Sequence, residues 1–223
     1  MTNDSKVCGF YPERIIRCFD REEYALEFCN HGRFRMGANT FYKGIESESR
    51  KDKDEGRGDY RYFGRRTTSL VSRDPSIPTE WIEEDGEVEA SVENGSPVYL
   101  FCCTVSDDMN YTTQKFGKFP VEISDPRQLA HFIDEYIQSQ SERFLIDGQM
   151  VQYTRGELLA PGIDQTKACD LSYTQKGSTF REDQEFRYCA ISTGPDRLWI
   201  NNPPEFLPID LNTNADFLSP LWK

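Results

Sequence analysis

The chain has 223 residues, 37% of them hydrophobic and 13% aromatic, which is enough for one substantial core and short for two ordinary domains. With 26 basic against 38 acidic residues its formal net charge is -12, which argues against duplex nucleic acid, held through its phosphates, as the main partner. Seven cysteines at irregular positions, with Cys102 and Cys103 adjacent, suit no disulfide framework and point to a reduced, cytoplasmic setting.

No basic-then-apolar leader and no run of about 18 apolar residues occurs, so neither secretion nor membrane spanning is expected. With two histidines, His31 and His131, and no CxxC pair, no metal site is expected either.

In chain order, "RIIRCF" (residues 14–19) reads as a short strand. Asp20 is a good N-cap, and Tyr24, Ala25, Leu26 and Phe28 have spacings compatible with a helix over residues 21–30 that Gly32 ends. "RFRMGA" (33–38) follows as a strand. The next stretch, "FYKGIESESRKDKDEG" (41–56), opens on two aromatic residues and closes on Asp54-Glu55-Gly56.

Residues 67–95 are rich in acidic residues, Ser and Pro, and read as a mobile surface excursion or lid. "PVYLFCCTVS" (97–106) is a nearly continuous apolar run, the best candidate for a central strand buried on both faces. "KFPVEIS" (118–124) alternates Phe119, Val121 and Ile123 on one face. Asp125-Pro126 starts a helix with Leu129, Phe132, Ile133, Tyr136 and Ile137 in a stripe.

"FLIDGQMVQYT" suggests a hairpin at Asp147-Gly148. Residues 184–192 read as a charged strand punctuated by aromatics, and residues 196–223 as an irregular tail packed on the body. The expected architecture is a single α+β domain with a core of about 8–64 and 96–195, a mostly antiparallel mixed sheet, and helices packed on it.

In a strand, Asp183, Glu185 and Arg187 share one face and form the wall of a site, while Gln184, Phe186 and Tyr188 take the other. The competing reading is an exposed edge strand of alternating charges. A second set, Arg14, Arg17, Arg33, Arg35 and Tyr42, suits phosphate or carboxylate groups, because guanidinium forks grip such oxygens bidentately. Its competing reading is ion pairing to the abundant carboxylates.

Asp54 and Glu55 are suited to pairing with those arginines, capping a helix or orienting a substrate hydroxyl. Thr104 and Ser106, at the end of the central strand, can line a cleft or simply end the strand by local hydrogen bonds. A Cys102 or Cys103 nucleophile lacks an evident activating partner. The GxxxxGK[ST], GxGxxG, GxSxG and HExxH patterns are all absent, which leaves P-loop, Rossmann, serine-hydrolase and zincin chemistry without support.

Taken in order, three stretches resemble the DUF2971-like families: residues 14–56; "YLFCCTVS" with "QKFGKFPVEISDPRQLA"; and "KGSTFREDQEFRYCAI". The resemblance implies an ADP-ribosyltransferase-like fold whose site is split across three strands. Arg17 then stands at the first strand, Tyr42 or Thr104 and Ser106 at the second, and Glu185 with Asp183 at the third.

NAD is the implied substrate. Arg17, with Arg33 or Arg35, would hold the pyrophosphate or ribose, Tyr42 would stack on nicotinamide or adenine, and Arg187 joins these cofactor-binding residues. Lys176, which opens the last motif, joins Asp54 and Glu55 as the site loop. The setting so implied is toxin-like conflict between microbes and their phages or plasmids, with a macromolecular acceptor. An NAD glycohydrolase shares this chemistry. The alternative class is a non-enzymatic acidic module that binds or inhibits a protein partner.

Overall fold

The computed structural model describes residues 8–44, 57–70, 80–93, 98–140, 144–154, 173–192, 204–212 and 215–222. The elements, in chain order, are β1 (Cys8–Gly9), β2 (Ile15–Phe19), α1 (Glu22–His31), β3 (Arg33–Ala38), α2 (Asn39–Gly44), β4 (Arg57–Leu70), β5 (Glu80–Glu93), β6 (Val98–Thr104), α3 (Met109–Phe116), β7 (Phe119–Ile123), α4 (Pro126–Ser139), β8 (Phe144–Met150), β9 (Glu185–Ser192), β10 (Phe206–Asp210) and β11 (Leu218–Pro220). The class is α+β, with one large, mostly antiparallel open sheet and a few helices. No helix among the described residues is long and apolar enough to cross a membrane.

The large sheet runs β1-β8-β9-β6-β2-β7-β11, with β3 also on β6 and β10 on β3. Among the described strands only β1 pairs parallel, on β8. β6 is central, as its apolar run predicts: six of its seven residues are buried. One contiguous core joins Tyr99, Phe101 and Cys103 of β6 and Phe186, Tyr188 and Ala190 of β9 to Phe28 of α1 and Leu129, Ile133 and Ile137 of α4. A smaller cluster of Val98, Leu100, Tyr173 and Cys189 takes in the alternate residues of the same strands, with Tyr42 and Cys102 packed against it.

The helices end as their sequences dictate. α4 carries Pro126 in its first turn, and the Asp125 carboxylate accepts from Gln128 N at 2.9 Å. α1 stops at Gly32, whose left-handed backbone (φ 64°) lets its N–H reach back to the carbonyls of Phe28 and Glu27. The residue at its N-terminal cap is Arg21 in extended conformation, in place of the expected Asp20.

The structure corrects the expected hairpin and the irregular tail, and gives the acidic excursion its form. Asp147 and Gly148 make no turn, and β8 runs straight through them. The glycine serves close approach: a Cβ at Gly148 would lie 2.3 Å from Tyr11 Cε1. Residues 67–95, read as an excursion or lid, hold most of an antiparallel ribbon in which β4 and β5 pair along their whole length, from Arg57↔Glu93 to Leu70↔Glu80. The two-residue alternation of Val88, Ala90 and Val92 with Glu89, Ser91 and Glu93 carries that signal, and the register sets Arg57, Arg61, Arg65 and Arg66 opposite Glu93, Glu89, Asp85 and Glu84. The supposedly irregular tail supplies β10 and β11, which extend the sheet on β3 and β7.

Candidate functional site

The site is built on β9 where it borders β6. Glu185 lies opposite Thr104 and Arg187 opposite Cys102, so period-two geometry places these four on one face. Phe186 and Tyr188 take the other face and enter the core. This face is not an exposed charged edge: Glu185 is 5% exposed and Arg187 1%. Arg187 Nε donates to Glu185 Oε1 at 2.7 Å, and its terminal nitrogen donates to the Tyr173 carbonyl at 2.5 Å.

Lys176 closes the second side of the carboxylate, with Nζ 2.7 Å from Glu185 Oε2. It arrives on a buried segment, residues 173–176, that runs parallel to Gln152. Gln152 N donates to Thr174 O, and Lys176 N donates to Gln152 O. The Glu185 N–H donates to Tyr153 Oη at 2.8 Å. Burial by itself would push the Glu185 carboxyl up. The Arg187 guanidinium and Lys176 ammonium outweigh it and hold the group well below the usual carboxylate range.

Arg17 and Tyr42 complete the neighbourhood from two other elements. β2 and β3 both pair with β6, at Thr104 and at Tyr99–Leu100 respectively, and diverge between these points. Arg17 fills the fork: its guanidinium donates to the Cys102 carbonyl and lies 4.8 Å from the Phe101 ring centroid and 5.5 Å from that of Phe19. Its Nε is buried without a hydrogen-bond partner, and among the described residues no carboxylate pairs with it. Tyr42 Oη donates to the Leu100 carbonyl at 3.3 Å, and burial pushes its phenol up.

Cys102 sits within the field of Glu185, Arg187, Lys176 and Arg17. Burial is the largest influence on its thiol, which is pushed up to about 12 and is therefore protonated and unfit as a nucleophile at neutral pH.

Asp183 does not share the face of Glu185. It ends a 3-10 turn (Ser178–Asp183), and Gln184 takes a left-handed backbone (φ 43°), so the regular alternation begins only at Glu185. Asp183, 1% exposed, accepts instead from Tyr111 Oη at 2.7 Å and pairs with Lys115 Nζ, both on α3. Thr104 and Ser106 act locally: Thr104 Oγ1 donates to the Asp183 carbonyl at 2.7 Å and accepts from Ser106 N at 3.0 Å, while Ser106 Oγ accepts from Asp108 N.

The structure therefore gathers Arg17, Tyr42, Thr104, Lys176, Glu185 and Arg187, and sets Asp183 in an adjoining cluster. Arg33 and Arg35 lie elsewhere. Arg33 pairs with Asp210 at 3.0 Å and Glu27 at 3.4 Å, and the Arg35 guanidinium lies over Phe206 at 4.0 Å. Arg14 pairs with Asp107 and with Glu122. Asp54 and Glu55 fall outside the described residues.

Sequence reasoning missed Tyr153, Tyr111 and Lys115. An (i, i+4) Tyr-Lys pair on a short helix carries no special signal, and a tyrosine three residues past a strand carries none. Open grooves among the described residues include one of about 470 Å³ between Arg14, Met109, Thr113, Lys118 and Trp222 and one of about 530 Å³ beside Phe10, Tyr11 and Arg127. Neither is lined by Glu185. Among the described residues no group of three or more His, Cys, Asp and Glu is placed to hold a metal ion. Comparison with protein-family models, with curated proteins and with solved structures finds no match to the chain.

Proposed function

We propose that the chain is an NAD-consuming enzyme of ADP-ribosyltransferase type, with Glu185 as its working carboxylate. The observation that carries the reading is that Glu185 is 5% exposed yet held ionised by Arg187 and Lys176. When nicotinamide leaves the ribose, positive charge develops on the sugar. An ionised carboxylate in a dehydrated, preorganised surrounding stabilises such charge far better than one in water. A carboxylate has about four lone-pair directions, so Glu185 retains acceptor capacity for a ribose hydroxyl beside its two cations.

The cations suit the other end of the substrate. Lys176 and Arg187 set two positive charges against the one carboxylate of Glu185 in a chain whose net charge is -12, with Arg17 beside them on the Cys102 carbonyl. Such a local excess fits a diphosphate, which Arg187 and Lys176 would grip while Tyr42 packs on a ring. The setting that goes with this reading is toxin-like conflict with phages or plasmids, and hydrolysis is the same chemistry with water as acceptor. Incubation of the protein with NAD, read as free nicotinamide against a Glu185→Gln control, tests it.

A second reading has one observation in its favour. β5 carries seven acidic residues, Glu80, Glu83, Glu84, Asp85, Glu87, Glu89 and Glu93, in one strand. A non-enzymatic module would use that strand against a basic protein partner. On that reading, charge reversals along β5 abolish partner capture and Glu185→Gln leaves it intact.

A further inference from the structure

Glu185 is covered. Backwards along the chain from it, Gln184 adopts the left-handed backbone, Ser178–Asp183 form a short 3-10 helix, and Gly177 joins that helix to the buried segment ending at Lys176. Residues 177–184 thus form a short strap between two buried ionic anchors. The first is Lys176 Nζ on Glu185 Oε2 at 2.7 Å.

The second anchor is Asp183, which pairs with Lys115 and accepts from Tyr111, while Lys115 Nζ also donates to Tyr111 Oη at 2.9 Å. Between them stands Phe180, its ring centroid 5.1 Å from Lys176 Nζ and 5.7 Å from Lys115 Nζ. One aromatic ring therefore touches the fields of both ammonium groups and ties the two anchors together.

Between these anchors the strap lies largely at the surface. Ser178, Thr179, Arg181 and Glu182 are exposed. Its backbone bonds include the single-turn pairs Phe180 N to Gly177 O and Gln184 N to Arg181 O, with Val105 N donating to Gln184 O at its end. β9, directly after it, is paired on both sides, to β6 and to β8. A segment with few buried apolar contacts between rigid ends belongs to the low-stability part of a fold.

We propose that residues 177–184 are a latched strap over Glu185, that the Lys115–Asp183 pair is the latch, and that its release admits an anionic, diphosphate-bearing ligand to Lys176 and Arg187. This rests on Glu185 being the working carboxylate. In the closed form Lys176 and Arg187 are engaged with Glu185, and Lys115 with Asp183, so an entering phosphate shares Lys176 and Arg187 with Glu185 as the strap lifts. Lys115 lies at the more accessible end, with 14% of its side chain exposed against 2% for Asp183, and so is the side from which the latch opens.

Hydrogen exchange and site-resolved alkylation of the full chain, without NAD, test the strap. Lys115→Met and, separately, Phe180→Ala should raise exchange of the 177–184 amides at least tenfold and speed alkylation of Cys102, with the amides of β6 and β9 unchanged. Two results overturn the proposal: strap exchange at the wild-type rate in a folded variant, or an equal rise across β6 and β9, which would make the pair a general structural brace. Because no NAD is present, a closed strap in both variants defeats the latch alone, whereas an opening strap in a protein inert to NAD defeats the enzymatic reading alone.

Discussion

Lys176 Nζ lies 2.7 Å from Glu185 Oε2, on the side of the carboxylate that Arg187 leaves open. The two cations keep the folded carboxyl below its unfolded value near 4.5. As pH falls, the unfolded chain takes up this proton first, so the stabilisation is complete above that value and is lost as pH drops through the window below it. The urea midpoint of the wild type should therefore fall more steeply between about pH 5 and pH 3 than that of Glu185→Gln, which lacks this titration. Parallel slopes would remove Glu185 as the titrating group.

The two cations are not equivalent. Arg187 is 1% exposed and bonds both Glu185 and the Tyr173 carbonyl, so Arg187→Met leaves the buried carboxylate to Lys176 alone, leaves the Tyr173 carbonyl without this donor, and should cost about 3–5 kcal/mol. Lys176→Met leaves Arg187 in place and should cost about 1–3 kcal/mol. Chemical denaturation of both variants reads the order, and a larger loss at Lys176 would contradict it.

Gly148→Ala forces a Cβ to within 2.3 Å of the Tyr11 ring and should destabilise by about 1–3 kcal/mol. Tyr11→Ala opens the space, so the double variant should recover part of the loss of the Gly148 change. Additive losses in that cycle would mean that the ring does not set the requirement for glycine.

How much of this was legible in the sequence depends on the period of each signal. β6 was readable because its apolar run is continuous, and α4 because Leu129, Phe132, Ile133, Tyr136 and Ile137 recur at helical spacing behind an Asp-Pro start. Glu185 with Arg187 was readable as a same-face pair. Asp183 was not, because the left-handed Gln184 breaks the alternation just before the strand, and that residue type gives no warning of positive φ. Gly148 misled because glycine after aspartate signals a turn when only neighbours in sequence are weighed, whereas its partner Tyr11 is remote. The ion pairs of Arg33 were concealed for the same reason, one partner, Asp210, lying on β10.

Cys102 and Cys103 should resist thiol reagents. With the Cys102 thiol pushed up to about 12 by burial, its thiolate fraction at pH 8 is about a thousandfold below that of an ordinary cysteine. Burial likewise raises Cys103 well above its usual value. Site-resolved maleimide labelling of the native protein should leave both unmodified while the same residues react after unfolding. Rapid native labelling of Cys102 would contradict its enclosure beside Glu185.

Arg17→Met removes the donor that meets the Cys102 carbonyl in the fork between β2 and β3 and should cost about 1–3 kcal/mol. Arg17→Lys restores charge without the guanidinium over the Phe101 ring and should recover less than half of it. Full rescue by lysine would show that charge alone matters there.

The most direct measurement is nicotinamide release from NAD by the purified full-length chain and by Glu185→Gln, read by mass spectrometry together with any modified macromolecule, with circular dichroism as the check on folding. The account predicts release by the wild type and a loss of at least a hundredfold in the folded variant. Equal NAD consumption by both, or none by either while both are folded, would contradict Glu185 as the carboxylate of a ribosyl-transferring site.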